Sequence, residues 1–184
     1  MGTRNSTMVK VDRKYKVAQY GQWDGYPSGT GKDLLTFLRS TDLTTLADRC
    51  RVVKVVTDKE VSKMWKECGG SNDTFKNEYP SLHRDTGWKI LQIIQESKIP
   101  VMVSLDLEFV ADSLFCEWAY VIDFDMKTFE VYKGFNEHPL NAKDRFFSLQ
   151  KRTRDGYFPV RREFSYKLSA LPTVKQFLKD CGNE

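Results

Sequence analysis

The chain has 184 residues, of which 40% are hydrophobic and 29% charged, with a formal net charge of +4. That length buries a core in a single domain, residues 1–184, without disulfide or metal support, and the composition excludes an intrinsically disordered segment. No run approaches the roughly 18 apolar residues of a membrane span, and Met1-Gly2-Thr3-Arg4-Asn5 has no apolar signal core, so the expectation is a cytoplasmic protein without a membrane partner.

Residues 3–11 alternate weakly, Asp12-Arg13 turns the chain, and Tyr15, Val17 and Gln19 alternate with Lys16, Ala18 and Tyr20, which predicts a β-hairpin. Residues 19–31, QYGQWDGYPSGTG, then pack aromatics, a carboxylate and four glycines into a shaped loop. Gly21, Gly25, Gly29 and Gly31 are expected to take backbone angles closed to other residues, with Pro27 stiffening the middle. Residues 32–39 carry Leu34, Leu35, Phe37 and Leu38 and predict a short helix whose open amides tolerate an anion. Residues 43–50 predict a further helical turn or two, and RVVKVV at 51–56 suits a strand or a strand-like lead-in.

Thr57 with Glu60 three positions on is a capping signal; Val61, Met64 and Trp65 give an apolar face, and Gly69-Gly70 ends a helix over 58–68. Residues 71–79 read as a polar loop. Gly87, Ile90, Leu91 and Ile94 predict a helix over 81–97, and Pro100 bars its continuation. Residues 101–110 divide between strand and irregular chain. LFCEWAYVIDFD at 114–125 predicts a strand with Phe115, Glu117, Ala119, Val121 and Asp123 on one face and Cys116, Trp118, Tyr120, Ile122 and Phe124 on the other. Met126-Lys127 turns it into a second strand over 128–135. A loop over 136–156 with a short helix near 145–149, an edge strand over 157–166 and a helix over 172–180 complete the chain. Strands at both ends with helices between them predict an α+β fold, an antiparallel sheet covered by helices.

The chemical candidates are few. Cys50, Cys68, Cys116 and Cys181 form no CxxC pair, and neither His83 nor His138 has a second ligand at metal-binding spacing, so reduced packed thiols, no metal and no cofactor are expected. Gly29-Thr30-Gly31-Lys32 imitates a phosphate-binding loop, but Tyr26 stands where its first glycine belongs and Asp33 where its Ser or Thr belongs. Trp23 and Tyr26 flank Asp24, with Gln22 and Ser28 as hydrogen-bonding neighbours. They form a recognition surface, or else pack over the sheet edge while Asp24 caps the turn. Cys116 beside Glu117 lacks a base or cation and reads as core. Basic residues gather in two segments. Arg4, Lys10, Arg13, Lys14 and Lys16 lie at the start, and Lys151, Arg152, Arg154, Arg161 and Arg162 lie in a later stretch near +5. If the segments meet in space they make a patch for nucleic acid or an acidic protein.

With MGTRNSTMVK, VAQYGQWDGYPSGTG and DSLFCEWAYVIDFDMKTFEVYKGFN in order, the chain resembles a family of small proteins from bacteria, phages and fungi, over a span that runs to about Asn136. Members look like relatives of the N-terminal-nucleophile (Ntn) hydrolase fold, in which an opening strand presents a catalytic Cys, Ser or Thr. Here Gly2 would follow Met1, and Thr3 serves only after a further cleavage. The chain is also similar to phage and mobile-element proteins that inhibit the RNA-guided nuclease of type II CRISPR systems. The resemblance implies a binding protein that inhibits a host nucleoprotein defence complex or acts on its guide RNA. Its recognition site would be Arg4, Asn5, Tyr20 and the loop from Gln22 through Trp23, Asp24 and Tyr26 to Ser28. The alternative it implies is an Ntn-type amidohydrolase for a small amide, with Thr3 as nucleophile and Asn5 or Asp24 placing the substrate. A third possibility, cleavage of the guide RNA, would use Asp24 and Glu117 as an acid/base pair.

Overall fold

The computed structural model describes residues 2–150 and 156–182. Two hairpins organise it. Strands β1 (Asn5–Val11) and β2 (Lys14–Gly21) pair antiparallel around Asp12 and Arg13, both in the left-handed region at φ 53° and 62°. Of the two shortest strands, β3 (Lys54–Val55) and β4 (Met102–Val103) form a separate parallel pair. The second hairpin, β5 (Trp118–Asp123) with β6 (Thr128–Lys133), is followed by β7 (Arg161–Lys167) along its outer edge. The main sheet runs β2-β1-β5-β6-β7. It is antiparallel except at its centre, where β1 and β5 run parallel from Asn5 opposite Trp118 to Lys10 opposite Asp123.

Six α-helices are described: α1 (Lys32–Ser40), α2 (Leu43–Arg51), α3 (Asp58–Glu67), α4 (Asn72–Glu78), α5 (Ile90–Glu96) and α6 (Val174–Asp180). None is long and apolar enough to cross a membrane. The mixed α+β expectation holds, but helices cover only one face of the sheet. There Val9, Tyr120, Ile122 and Phe129 pack against Leu35 of α1, Leu46 of α2, Leu91 of α5 and Phe177 of α6. Irregular chain closes the other face, where Met8, Ala119, Val121 and Tyr132 meet Val110, Leu140, Phe146 and Val160. A ring such as Phe129, fully removed from water, contributes about 2–3 kcal/mol.

Three expected elements shift. The polar loop at 71–79 contains α4, because Ser71 caps Thr74 and the single apolar anchor Phe75 is buried. The helix expected over 81–97 is α-helical only from Ile90, since Gly87 takes φ 49° after a turn closed by Pro80 and Thr86. The strand expected from 114 starts at Trp118, because the Phe115 and Cys116 amides both donate to Asp112 and hold a turn. Cys116 therefore packs with Ala119 and Val121, on the face opposite to Tyr120.

A buried ionic knot fixes the loop-covered face. Arg145 donates from Nε to Glu130 Oε2 at 2.8 Å and from Nη2 to Glu130 Oε1 at 2.9 Å, and its Nη2 lies 2.8 Å from Asp123 Oδ2. Tyr132 and Thr128 also donate to Glu130. Burial pushes both carboxyls up. The Arg145 contacts, with hydroxyl donors at Glu130 and the Met126 amide at Asp123, outweigh it and hold both below the ordinary carboxylate range. The folded state thus binds fewer protons than the unfolded one, and the stability these groups lend is present above about pH 4.5, their unfolded range. It drains away as the pH falls through the depressed folded values. Arg145→Met strands two buried carboxylates, and chemical denaturation at pH 7 should show a loss of about 3–5 kcal/mol that shrinks as the pH is lowered toward 4.

Candidate functional site

The first three central strands keep pairing one residue past their regular ends. The Glu117 amide donates to Arg4 O at 3.1 Å, and the Gly134 amide to Glu117 O at 2.8 Å. A cleft of about 580 Å³ opens immediately beyond this row. Thr3, Arg4 and Glu117 form its base, and Tyr26, Phe115 and Phe135 stand around it. Tyr26 is 51% exposed, Phe115 43% and Phe135 50%, so three aromatic faces meet solvent around one opening. The Arg4 guanidinium lies 4.6 Å from the Phe115 ring centre and 4.0 Å from Glu117, and the Arg4 amide donates to the same carboxylate at 3.3 Å. Phe135 holds φ 54°, an uncommon backbone state for a bulky residue, locked by its amide bond to Ser113 O at 2.7 Å.

Residues 22–31 reach this cleft by a different route from the one the glycines suggested. None of the four loop glycines has positive φ; Asp24 does, at 51°. Their role is close approach. A Cβ on Gly25 would stand 2.7 Å from Thr3 O and 2.9 Å from Asn5 Cβ, because the Gly25 amide donates to Thr3 O and its carbonyl accepts from Tyr120 Oη at 2.8 Å. Pro27–Gly31 forms one π-helical turn running into α1. The Gly29 and Gly31 amides donate to Tyr26 O and the Thr30 amide to Asp24 O, so these three amides are spent within the turn.

Of the expected site residues, Arg4, Gln22 and Tyr26 line the cleft. Tyr20 stands behind it, edge-on to Phe109, donating to Gln22 Oε1 at 2.6 Å. Trp23 and Asp24 line an adjoining cavity of about 340 Å³ instead, where the Trp23 indole donates to Asp85 at 3.3 Å. Trp23 is 56% exposed, with one edge of its ring against Gly2. Asn5 is buried and spends its amide nitrogen on the carbonyls of Gly21 and Trp23, which makes it a clamp on the loop. Ser28 is exposed on the π-turn, away from both cavities. Asp24 and Glu117 open onto different cavities and form no acid/base pair. Cys116 is fully buried and its thiol is pushed well above its ordinary value, as core packing requires.

Among the described residues, Lys14 and Lys16 on β2 stand far from Arg161 and Arg162 on β7. β2 and β7 are opposite edges of the sheet. Lys151, Arg152 and Arg154 lie outside the described residues, while Arg161 is exposed on β7 and Arg162 points one nitrogen to within 3.7 Å of Glu130. Lys10 stands 3.8 Å from Asp123. Sequence reasoning missed Phe135 and Leu114, which join the cleft from far along the chain. Compared with known proteins, the chain matches no family model, no curated protein and no solved structure.

Because Gly25 is gripped from both sides, Gly25→Ala should cost about 1–3 kcal/mol of overpacking, read as a lowered thermal midpoint, with Tyr26 displaced from the cleft.

Proposed function

We propose that the chain acts by binding, and that the cleft at the start of β1 receives a flat, partly apolar group carried by a macromolecular partner. The convergence of Tyr26, Phe115 and Phe135 on one opening beside the Arg4 guanidinium carries this reading. Aromatic faces next to a cation suit an unstacked base, which gains about 1–3 kcal/mol per ring. Glu117 is engaged by Arg4, which favours its use in holding that cation over use as a general base. The partner class in keeping with the sequence resemblance is a host nucleoprotein defence complex, a type II RNA-guided nuclease or its guide RNA, which the bound protein would inhibit. Exposed Arg161 would add a salt-dependent contact.

The test is fluorescence anisotropy of labelled single-stranded RNA and of the assembled guide–nuclease complex, titrated with wild type and with a Tyr26→Ala, Phe135→Ala double variant. Loss of both rings should weaken binding by about tenfold or more. Equal affinity of the two proteins would remove the cleft from recognition.

One observation favours a second reading, the Ntn-type amidohydrolase. Thr3 lines the cleft at the head of the central strand, the place where a processed N-terminal nucleophile would use its own amine as base. Asn5 and Asp24 do not reach that cleft, so substrate placement would fall to Arg4 and Gln22. Intact-mass spectrometry of the mature protein decides it. A chain beginning at Thr3, with amidase activity abolished by Thr3→Ala, would establish the enzyme, and one retaining Gly2 has no nucleophile.

A further inference from the structure

Helix α3 is amphipathic by sequence yet contributes no buried residue, and none of its side chains belongs to either core. Its apolar face instead forms one wall of an open groove of about 510 Å³. Val61 and Trp65 supply that wall, and Phe75 of α4 with Leu82 supplies the floor and the far side. Trp65 is 36% exposed and meets Phe75 edge-on at 5.4 Å, so the floor is ordered before anything binds. His83 closes the end. Its Nδ1 accepts the Asp85 amide at 3.2 Å while its Nε2 faces Asn72 Oδ1 at 3.0 Å, and burial pulls its pKa down, so the ring is neutral and structural.

The groove itself is lined by two cations, Lys66 and Arg84, and by no carboxylate. A shallow hollow that shares Ser62 and Lys66 with it carries the lining along α3 past Lys63 to Lys59. Arg84 stands on the opposite side. Against these four cations the combined lining holds one carboxylate, Asp58. Lys63 is partly answered by Glu67 at 3.8 Å, and Arg84 donates to the neutral Gln22 side chain and makes no ion pair among the described residues. Lys59 and Lys66 make no ion pair among the described residues. Lys66 is the lysine of α3 that borders the groove, while Lys59 and Lys63 lie further round the helix, on the hollow that Ser62 and Lys66 share with it.

We propose that the groove between α3 and α4 is a docking site for an acidic amphipathic helix of a protein partner. Its apolar stripe would lie on Trp65, Phe75 and Leu82, and its carboxylates would face Lys66 and Arg84. A helix in a groove is anchored by apolar residues at i, i+3 or i+4, and i+7, and the charged flanks set which partner is accepted. The site lies apart from the aromatic cleft and does not rest on the function proposed for it.

The probe is a fluorescein-labelled, end-capped helical peptide of about 15 residues with Leu and Phe at the anchor spacing and Glu or Asp elsewhere. A control peptide carries Lys at every acidic position. Anisotropy titration with the full chain should show the acidic peptide preferred by at least about tenfold. A Lys66→Glu, Arg84→Glu double variant, checked for an unchanged circular dichroism spectrum, should weaken it by a similar factor, and Trp65→Ala should weaken both peptides. Absence of binding, or equal binding of the two peptides, would overturn the proposal. So would a concentration-dependent dimer in sedimentation that Trp65→Ala abolishes, because the groove's occupant would then be a second copy of this chain.

Discussion

The parallel contact of β1 with β5 joins two hairpins whose members are separated by most of the chain; Arg4 and Glu117, at its open end, are 113 residues apart. Each hairpin closes locally, but a two-stranded ribbon is marginal in water and neither can bury both its faces alone. Joining them, with β7 along the outer edge of β6, creates a five-stranded sheet with an apolar interior on each side. The crossover between them must then travel from one edge to the centre. It does so through α1, α2 and α5, which cover one face, and returns through 104–117, which covers part of the other. The same pairing sets the N-terminal ends of β1 and β5 side by side and thereby makes the base of the cleft.

Closing a sheet face with irregular chain has a cost that helices avoid, because loop backbone and charged side chains come with it. Arg145 answers this by bringing a guanidinium under the loop to two carboxylates that the strands cannot turn outward, Asp123 at the end of β5 and Glu130 within β6. Asn136 adds to the same loop, accepting at its side chain from the His138 amide and donating to Pro159 O at 2.9 Å. Phe135 and Tyr157, which meet edge-on at 6.3 Å beside the cleft, hang from this braced segment. The exposed rings are thus carried on rigid chain, which lowers the ordering cost of binding.

Both hairpins were legible because period-two alternation is a local signal, and α3 was legible because Thr57, Glu60 and Gly69-Gly70 mark its two ends. The β1 to β5 pairing carries no local signature, since either strand pairs equally well on paper with its own hairpin partner alone. α4 was invisible for a different reason: one buried ring among polar residues has no period. At the site, Arg4, Gln22 and Tyr26 stood out by composition, whereas the clamp role of Asn5 and the turning of Trp23 and Asp24 onto the adjoining cavity were not legible, because composition does not say which side of the chain a residue faces. The glycines were recognised as important for the wrong physical reason, being pressed against neighbouring backbone rather than turned through positive φ. Phe135 had a faint signal, an apolar ring just after Gly134 at a strand end, but its left-handed backbone, held where its amide donates to Ser113 O, has no local signature.

The segment from His83 to Asp85 binds these parts together. Arg84 holds Gln22 and Asp85 holds the Trp23 indole, while the His83 carbonyl accepts from Gln19 Nε2 at 3.3 Å. Three consecutive residues therefore fix three side chains of the strand and loop that wall the cleft and its neighbouring cavity. On their other side His83 and Arg84 line the groove under α3 and α4. That helix pair lies outside both cores, and a segment with so little buried apolar surface opens more readily than the sheet. His83 and Arg84 therefore belong both to the groove lining and to the mounting of Gln19 and Gln22. The cleft and the groove are separate surfaces, but they are built on opposite faces of one short stretch of chain.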